Sequence, residues 1–278
     1  MWRIASIAVG LSFVSRAAAH EPYTLFNPTP RSEMRPMSTD RPDVTESPYT
    51  VDAGHFQLEM SFAEWSFKNG SATEAQTDEL RGAPFLAKVG LLENIDLQFG
   101  LEPYVWQRSE MNGDTVIGQG LGDSLLRLKV NLYGNNDESP HAFAIAVMPA
   151  IKIPTASRQV GNGEFEFAMI VPIGLGLGSG WDLGAMAEFD LVTPNDDNNS
   201  LDFVHTATLG KEFTEELGAF VEYAGIANFS QAEPYRASLD IGTWLQVNAN
   251  LKYDAGVRLG LTDATDGLQV FAGVSFRY

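Results

Sequence analysis

Charged side chains in this sequence recur two residues apart. Arg127 precedes Lys129, Glu188 precedes Asp190, and Lys252 precedes Asp254. Residues two apart share one face of a β-strand, so each pair looks into the same space. Charges of both signs crowded on one face can pair with one another or line a path for water and ions. Catalytic arrangements are scarce by comparison. The sequence has no H-E-x-x-H, no G-x-S-x-G and no cysteine, which removes the usual zinc, serine-hydrolase and thiol constellations. His20, His55, His141 and His205 are scattered. Only His205, with Ser200 or Thr206, could form a nucleophile–base pair, and a polar strand residue is the simpler account. "GQGLG" and "GLGLGSG" are not followed by a helix, so neither can cradle a phosphate on helix N–H groups. The loop "NDDNNS", Asn195–Ser200, offers oxygen ligands for Ca²⁺ but reads more simply as a solvated loop. No catalytic residue, no metal site and no cofactor is expected, and the chain is not expected to be an enzyme.

The elements that must position these charges are strands. From Gly54 onward apolar residues alternate with polar or small ones, the period of a strand with two unlike faces. Ile95, Leu97, Phe99 and Leu101 alternate with Asp96, Gln98 and Gly100; Leu126, Leu128, Val130 and Leu132 alternate with Arg127, Lys129 and Asn131. The pattern predicts twelve strands, near 55–67, 80–91, 95–102, 121–133, 141–153, 164–177, 181–193, 201–213, 216–227, 235–248, 251–261 and 268–278. The strand over 201–213 is ambiguous, because both of its parities contain apolar residues. Connections after the odd strands are polar and mostly long, such as "QRSEMNGDTVIGQG"; most of those after the even strands are tight. Long and short loops alternating on an even strand count predict an all-β, antiparallel up-and-down transmembrane β-barrel.

A soluble barrel would turn the apolar face inward, yet side chains fill a closed interior only near ~8 strands. Aromatic residues also gather at strand ends, as in the two interfacial girdles of membrane barrels. The polar face is therefore assigned to the lumen. The expected pore-lining residues are Glu59, Lys88, Asp96, Glu102, Arg127, Lys129, Lys152, Glu166, Glu188, Asp190, Glu222, Asp240, Lys252, Asp254 and Arg258. Many should pair across the barrel, since unpaired buried charge is costly. Leu125, Tyr104 and Trp106 fall on the inward parity and predict a narrow lumen. The formal net charge of −18 gives no basic patch for nucleic acid and leaves an acidic surplus, which biases any pore toward cations.

Residues 1–19 read as a signal peptide: Arg3, a short apolar run from Ile4 to Val14, and Ala17-Ala18-Ala19 before the cleavage point. Residues 20–53 carry six prolines and no apolar periodicity, which predicts an extended lead-in. Its charged motif, Asp40, Arg41, Pro42, Asp43 and Glu46, suits either a plug in the lower mouth or a rim or tether that positions the first strand. The barrel proper is assigned to 54–278.

"STDRPDVTESPYTVDAGHFQLEMSF" (Ser38–Phe62) resembles the N-terminal signature of the outer-membrane channel family named for the meta-cleavage pathway of phenol degradation. "GQGLGDSLLRLKVNL", "AIKIPT" and "VGNGEFEFAMIVPI" agree with it, and "FAGVSFRY" is similar to the aromatic-ended last strand read by barrel-assembly machinery, through Phe276 and Tyr278. The resemblance implies a barrel in the outer membrane of a Gram-negative-type bacterium, in contact with membrane lipid and lipopolysaccharide. It implies passage of small solutes, aromatic or hydrophobic ones among them. The alternative is a structural or surface-interaction barrel with a closed lumen.

Overall fold

The computed structural model describes residues 21–70, 75–193, 200–229 and 233–278. The residues expected to form a signal peptide, 1–19, and most of the Asn195–Ser200 loop lie outside the described residues. Fifteen strands form one antiparallel sheet: β1 (Phe56–Lys68), β2 (Gln76–Gly82), β3 (Phe85–Leu92), β4 (Ile95–Leu101), β5 (Tyr104–Met111), β6 (Asp114–Gly120), β7 (Ser124–Tyr133), β8 (Phe143–Ile153), β9 (Glu166–Gly178), β10 (Trp181–Val192), β11 (Ser200–Glu212), β12 (Leu217–Asn228), β13 (Arg236–Asn248), β14 (Leu251–Gly260) and β15 (Leu268–Arg277). β15 pairs with β1, so the sheet closes on itself.

Three pairs of these strands are single barrel strands with an interruption. The lower half of β1 pairs with β3 and its upper half with β2; β4 continues into β5, and β6 into β7. The closed barrel thus has the expected twelve strands. The interruptions fall side by side, at Ala83–Pro84, Glu102–Pro103 and Leu121–Asp123, next to a bulge between Ser61 and Ala63 in β1. Proline has no N–H to give a ladder, and Ala83 takes a left-handed φ of 51°, so pairing lapses at this height. Above it, β5 and β6 form a hairpin turning at Asn112–Gly113. The "QRSEMNGDTVIGQG" segment, expected as a loop, is largely sheet.

The faces sort by burial. Glu59, Lys88, Asp96, Lys129, Glu222 and Asp240 are almost wholly enclosed, whereas Phe56, Phe99, Phe167, Phe189, Ile241 and Val257 are exposed on the outside. An outward apolar wall is what a lipid environment solvates and water does not. In β11, Asp202, Thr206 and Thr208 are enclosed while Leu201 is exposed, which settles the strand whose facing the sequence left open. The interruption at Glu102–Pro103 resets the alternation. Tyr104 and Trp106, paired with Gly82 and Leu80, turn outward and do not narrow the lumen; Leu125 stays inside.

Candidate functional site

The interior of the barrel is occupied by the lead-in. An extended, proline-rich segment brings no ladder partners of its own, yet each buried N–H needs an acceptor. Carboxylates of the wall supply them. Glu59 accepts from the amides of Asp40 (2.9 Å) and Arg41 (3.2 Å), Glu222 from those of Val44 and Thr45 (2.7 Å each), and Asp96 from that of Val51 (3.0 Å). Gln57 and Asn131 donate in turn to the carbonyls of Ser38 (2.7 Å) and Pro48 (2.9 Å). Part of the acidic surplus of the inner face is thereby spent on a peptide backbone.

The charged motif supplies the other half of the grip. Asp40 accepts from Lys88 at 2.5 Å and Lys129 at 2.7 Å, with Arg127 at 3.4 Å. Burial alone would raise this carboxyl, but Lys129, Lys88 and Arg127 outweigh it and hold Asp40 well below the usual carboxylate range. Arg41 reaches another wall, donating to Asp254 at 2.7 and 3.2 Å. Glu46 pairs with Arg127, and Lys88 also pairs with Glu59. Burial together with Glu222 pushes the Asp43 carboxyl well above the ordinary range. Adjacent residues of opposite sign therefore hold different strands of the barrel, β3 and β7 through Asp40 and β14 through Arg41. Val44 packs on a small apolar cluster of inward residues, Met148, Ile170, Met186 and Val204. At the short-turn end, Arg277 donates to Asp52 (3.1 Å) and to the Arg35 carbonyl (2.9 Å), and Arg35 pairs with Asp52 at 2.7 Å.

The residues expected in the lumen divide into three groups. Glu59, Lys88, Asp96, Arg127, Lys129, Glu222, Lys252 and Asp254 engage or adjoin the lead-in; Lys252 donates to Thr39 at 3.0 Å. Asp240 and Arg258 pair with each other along the wall at 2.6 Å. Glu102, Lys152, Glu166, Glu188 and Asp190 lie in the long-loop half. There a cavity of about 500 Å³ opens above Asp40, Arg41, Glu46 and Arg127, walled by Leu86, Leu101, Leu125, Glu64, Glu102 and Asp123. Glu64 and Arg81 are members of this site that the alternation alone misses, because the bulge before Ala63 and the break after Gly82 shift their parity. The uncharged partners of the lead-in, Gln57, Ser61, Asn131 and Asn135, were not among the expected pore-lining residues, since uncharged polar residues on an inner face look like filler.

The Ser–His pairing weighed from the sequence is not made. His205 faces outward, stacked on Phe203 and Tyr235, with its Nε2 3.0 Å from the Tyr235 hydroxyl, while Thr206 sits on the opposite, inner face bonded to Thr45.

The family model described as "Putative MetA-pathway of phenol degradation" matches residues 39–278. The chain belongs to this family. No curated protein matches the sequence. Among solved structures, the barrel is similar to an outer membrane channel from Pseudomonas putida F1, with 10% identity over 87% of this chain and all of that one, at a TM-score of 0.59. It is similar also to the translocator domain of the autotransporter NalP from Neisseria meningitidis, with 11% identity over 81% of this chain and 88% of that one, at a TM-score of 0.51. At such identities the likeness speaks for the fold. The family match begins at Thr39, so it takes in the charged motif together with the barrel.

Proposed function

We propose that the protein is an outer-membrane channel for small solutes, with an acidic lumen that residues 38–53 close at rest. The observation that carries this reading is the position of Asp40, enclosed in the lumen and gripped by cations of β3 and β7. A plug built from hydrogen bonds and ion pairs can leave without exposing a large apolar surface, unlike a packed hydrophobic core. The outward apolar wall would meet membrane lipid, with lipopolysaccharide at the long-loop rim. The last strand, ending in Phe276 and Tyr278, would be what the assembly machinery reads. In this reading the short turns and both ends of the mature chain lie in the periplasm, and a solute entering from outside meets the 500 Å³ cavity before the lead-in. The leucines in that cavity suit solutes with an apolar or aromatic body.

The test is single-channel recording in a planar bilayer, under a salt gradient, of residues 20–278 and of a chain beginning at residue 51. The expected result is small, rare conductance from the first and larger, cation-biased conductance from the second. The number of bonds that hold the lead-in favours one second reading, a structural barrel whose lumen never opens. Silence from both chains, each migrating as a folded barrel, would establish that reading in place of the first.

A further inference from the structure

The cavity above the lead-in has a charge imbalance that its own cations do not resolve. Three carboxylates line it in the long-loop half, Glu64, Glu102 and Asp123, and two more, Glu79 and Glu166, stand beside them through shared cations. Arg81 is shared among three of them, at 2.7 Å from Glu79, 3.4 Å from Glu102 and 4.0 Å from Glu64. Lys152 is shared between two, at 2.9 Å from Glu166 and 3.6 Å from Asp123. Arg41 comes within 3.6 Å of Glu64, but its donors are committed to Asp254 and Ser61. Deeper in the barrel the balance differs: Lys88, Arg127 and Lys129 converge on Asp40, and Lys88 and Arg127 pair also with Glu59 and Glu46, so three cations meet three carboxylates. The surplus negative charge thus lies at the solute-facing side of the cavity. Against it, on the wall where the strands are interrupted, stand Pro84, Leu86, Leu101 and Leu125.

We infer that this cavity binds organic cations, compact ammonium compounds with an aromatic or short alkyl body. The body would lie on Leu86 and Leu125 and the ammonium would complete the coordination of Glu102 and Asp123. A single apolar wall facing a carboxylate rim suits a molecule with one apolar and one cationic end. A neutral phenol gains the wall but not the rim, and a carboxylate is repelled by the rim. The inference rests on reading the lumen as the solute path, and names the class of solute that path selects.

The experiment titrates benzylamine, benzyl alcohol and benzoate into the full-length protein in a non-ionic detergent, read by ligand-observed saturation-transfer NMR, with single-channel recording on the same preparation. The variants are Glu102→Gln and Glu79→Gln/Glu102→Gln, and Glu215→Gln on the far short turn controls for net charge alone. Benzylamine should bind at least about fivefold more tightly than benzyl alcohol, with benzoate weakest, as expected for one charge-assisted contact in a partly solvated site. That preference should fall with each carboxylate removed from the rim and persist in the Glu215 variant. Equal affinity for all three ligands in a preparation that conducts would overturn the inference and leave the channel standing. Selective amine binding in a preparation that never conducts, with the chain beginning at residue 51 silent as well, would uphold the cation site and refute the channel. Loss of selectivity in the Glu215 variant would also overturn the inference, by reducing the effect to net charge.

Discussion

Replacing Asp40 with asparagine keeps the shape of the side chain and removes the charge on which Lys88, Lys129 and Arg127 converge. Lys88 keeps Glu59 and Arg127 keeps Glu46, whereas Lys129, 1% exposed, is left with no other ion pair at salt-bridge distance among the described residues. Removing one member of a buried ionic cluster costs about 3 to 5 kcal/mol. With two of the three cations still paired, the lower figure, about 3 kcal/mol, is the appropriate one. The penalty applies only while the lead-in is seated, because in the open state Lys129 faces water. The ratio of open to closed channel should therefore rise about 10²-fold. The assay is open probability in a planar bilayer, with folding checked by the faster migration of an unheated barrel on a denaturing gel. An open probability within about threefold of the wild type, in a folded Asp40→Asn protein, would refute the claim that this cluster holds the channel shut.

Three further outcomes follow from the same geometry. Gly174 faces the lead-in, and a Cβ there would stand 3.1 Å from Cγ of Pro48 and 3.9 Å from Tyr49; Gly174→Leu should raise open probability strongly and Gly174→Ala only slightly, in the same bilayer recording. Ile241, 46% exposed in the middle of β13, should cost about 2 to 4 kcal/mol as arginine, against about 0 to 1 kcal/mol for Val247→Arg near the strand end, measured by urea titration of folding into vesicles. Acidification should not open the channel. The lowered carboxyl of Asp40 contributes stability above the ordinary carboxylate pKa and loses it only as pH falls through its still lower folded value, whereas the raised carboxyl of Asp43 contributes most when protonated. Conductance between pH 7 and about pH 5 should not rise, and an increase over that range would contradict both assignments.

The barrel was legible because its strands have two unlike faces. The run Ile95 to Leu101 states its facing residue by residue, and the strand count follows from the alternation of long and tight connections. Legibility ended at the interruptions of the wall. In β5 and β6 polar and apolar residues are mixed on both faces, so the period-two signal fades, and the Asn112–Gly113 turn that marks a hairpin sat unnoticed inside what looked like a loop. Pro84, Pro103 and the bulge before Ala63 shift parity by one, which misplaced Tyr104 and Trp106 and hid Glu64 and Arg81. In β11 the ambiguity was real. Val204 is apolar and inward because it packs in the cluster beneath Val44, and His205 is polar yet outward, its Nε2 bonded to Tyr235 and its ring stacked on Phe203. The charges of the lead-in were evident, but their partners were not. A strand pattern says which face a lysine occupies, not which segment of chain it meets there.

The central claim is that the channel is closed by residues near Asp40 and opens when they leave. It can be tested with a reversible tether. The chain has no cysteine, and the hydroxyls of Thr45 in the lead-in and Thr206 in β11 are 2.6 Å apart, so a Thr45→Cys/Thr206→Cys pair can be oxidised to a disulfide and reduced again in the same bilayer. The measurement is single-channel current before and after adding reductant. Closure under oxidation, with conductance appearing on reduction and absent from either single variant's response, is the predicted result. Equal conductance in both redox states, with the disulfide verified by mass, would contradict the account.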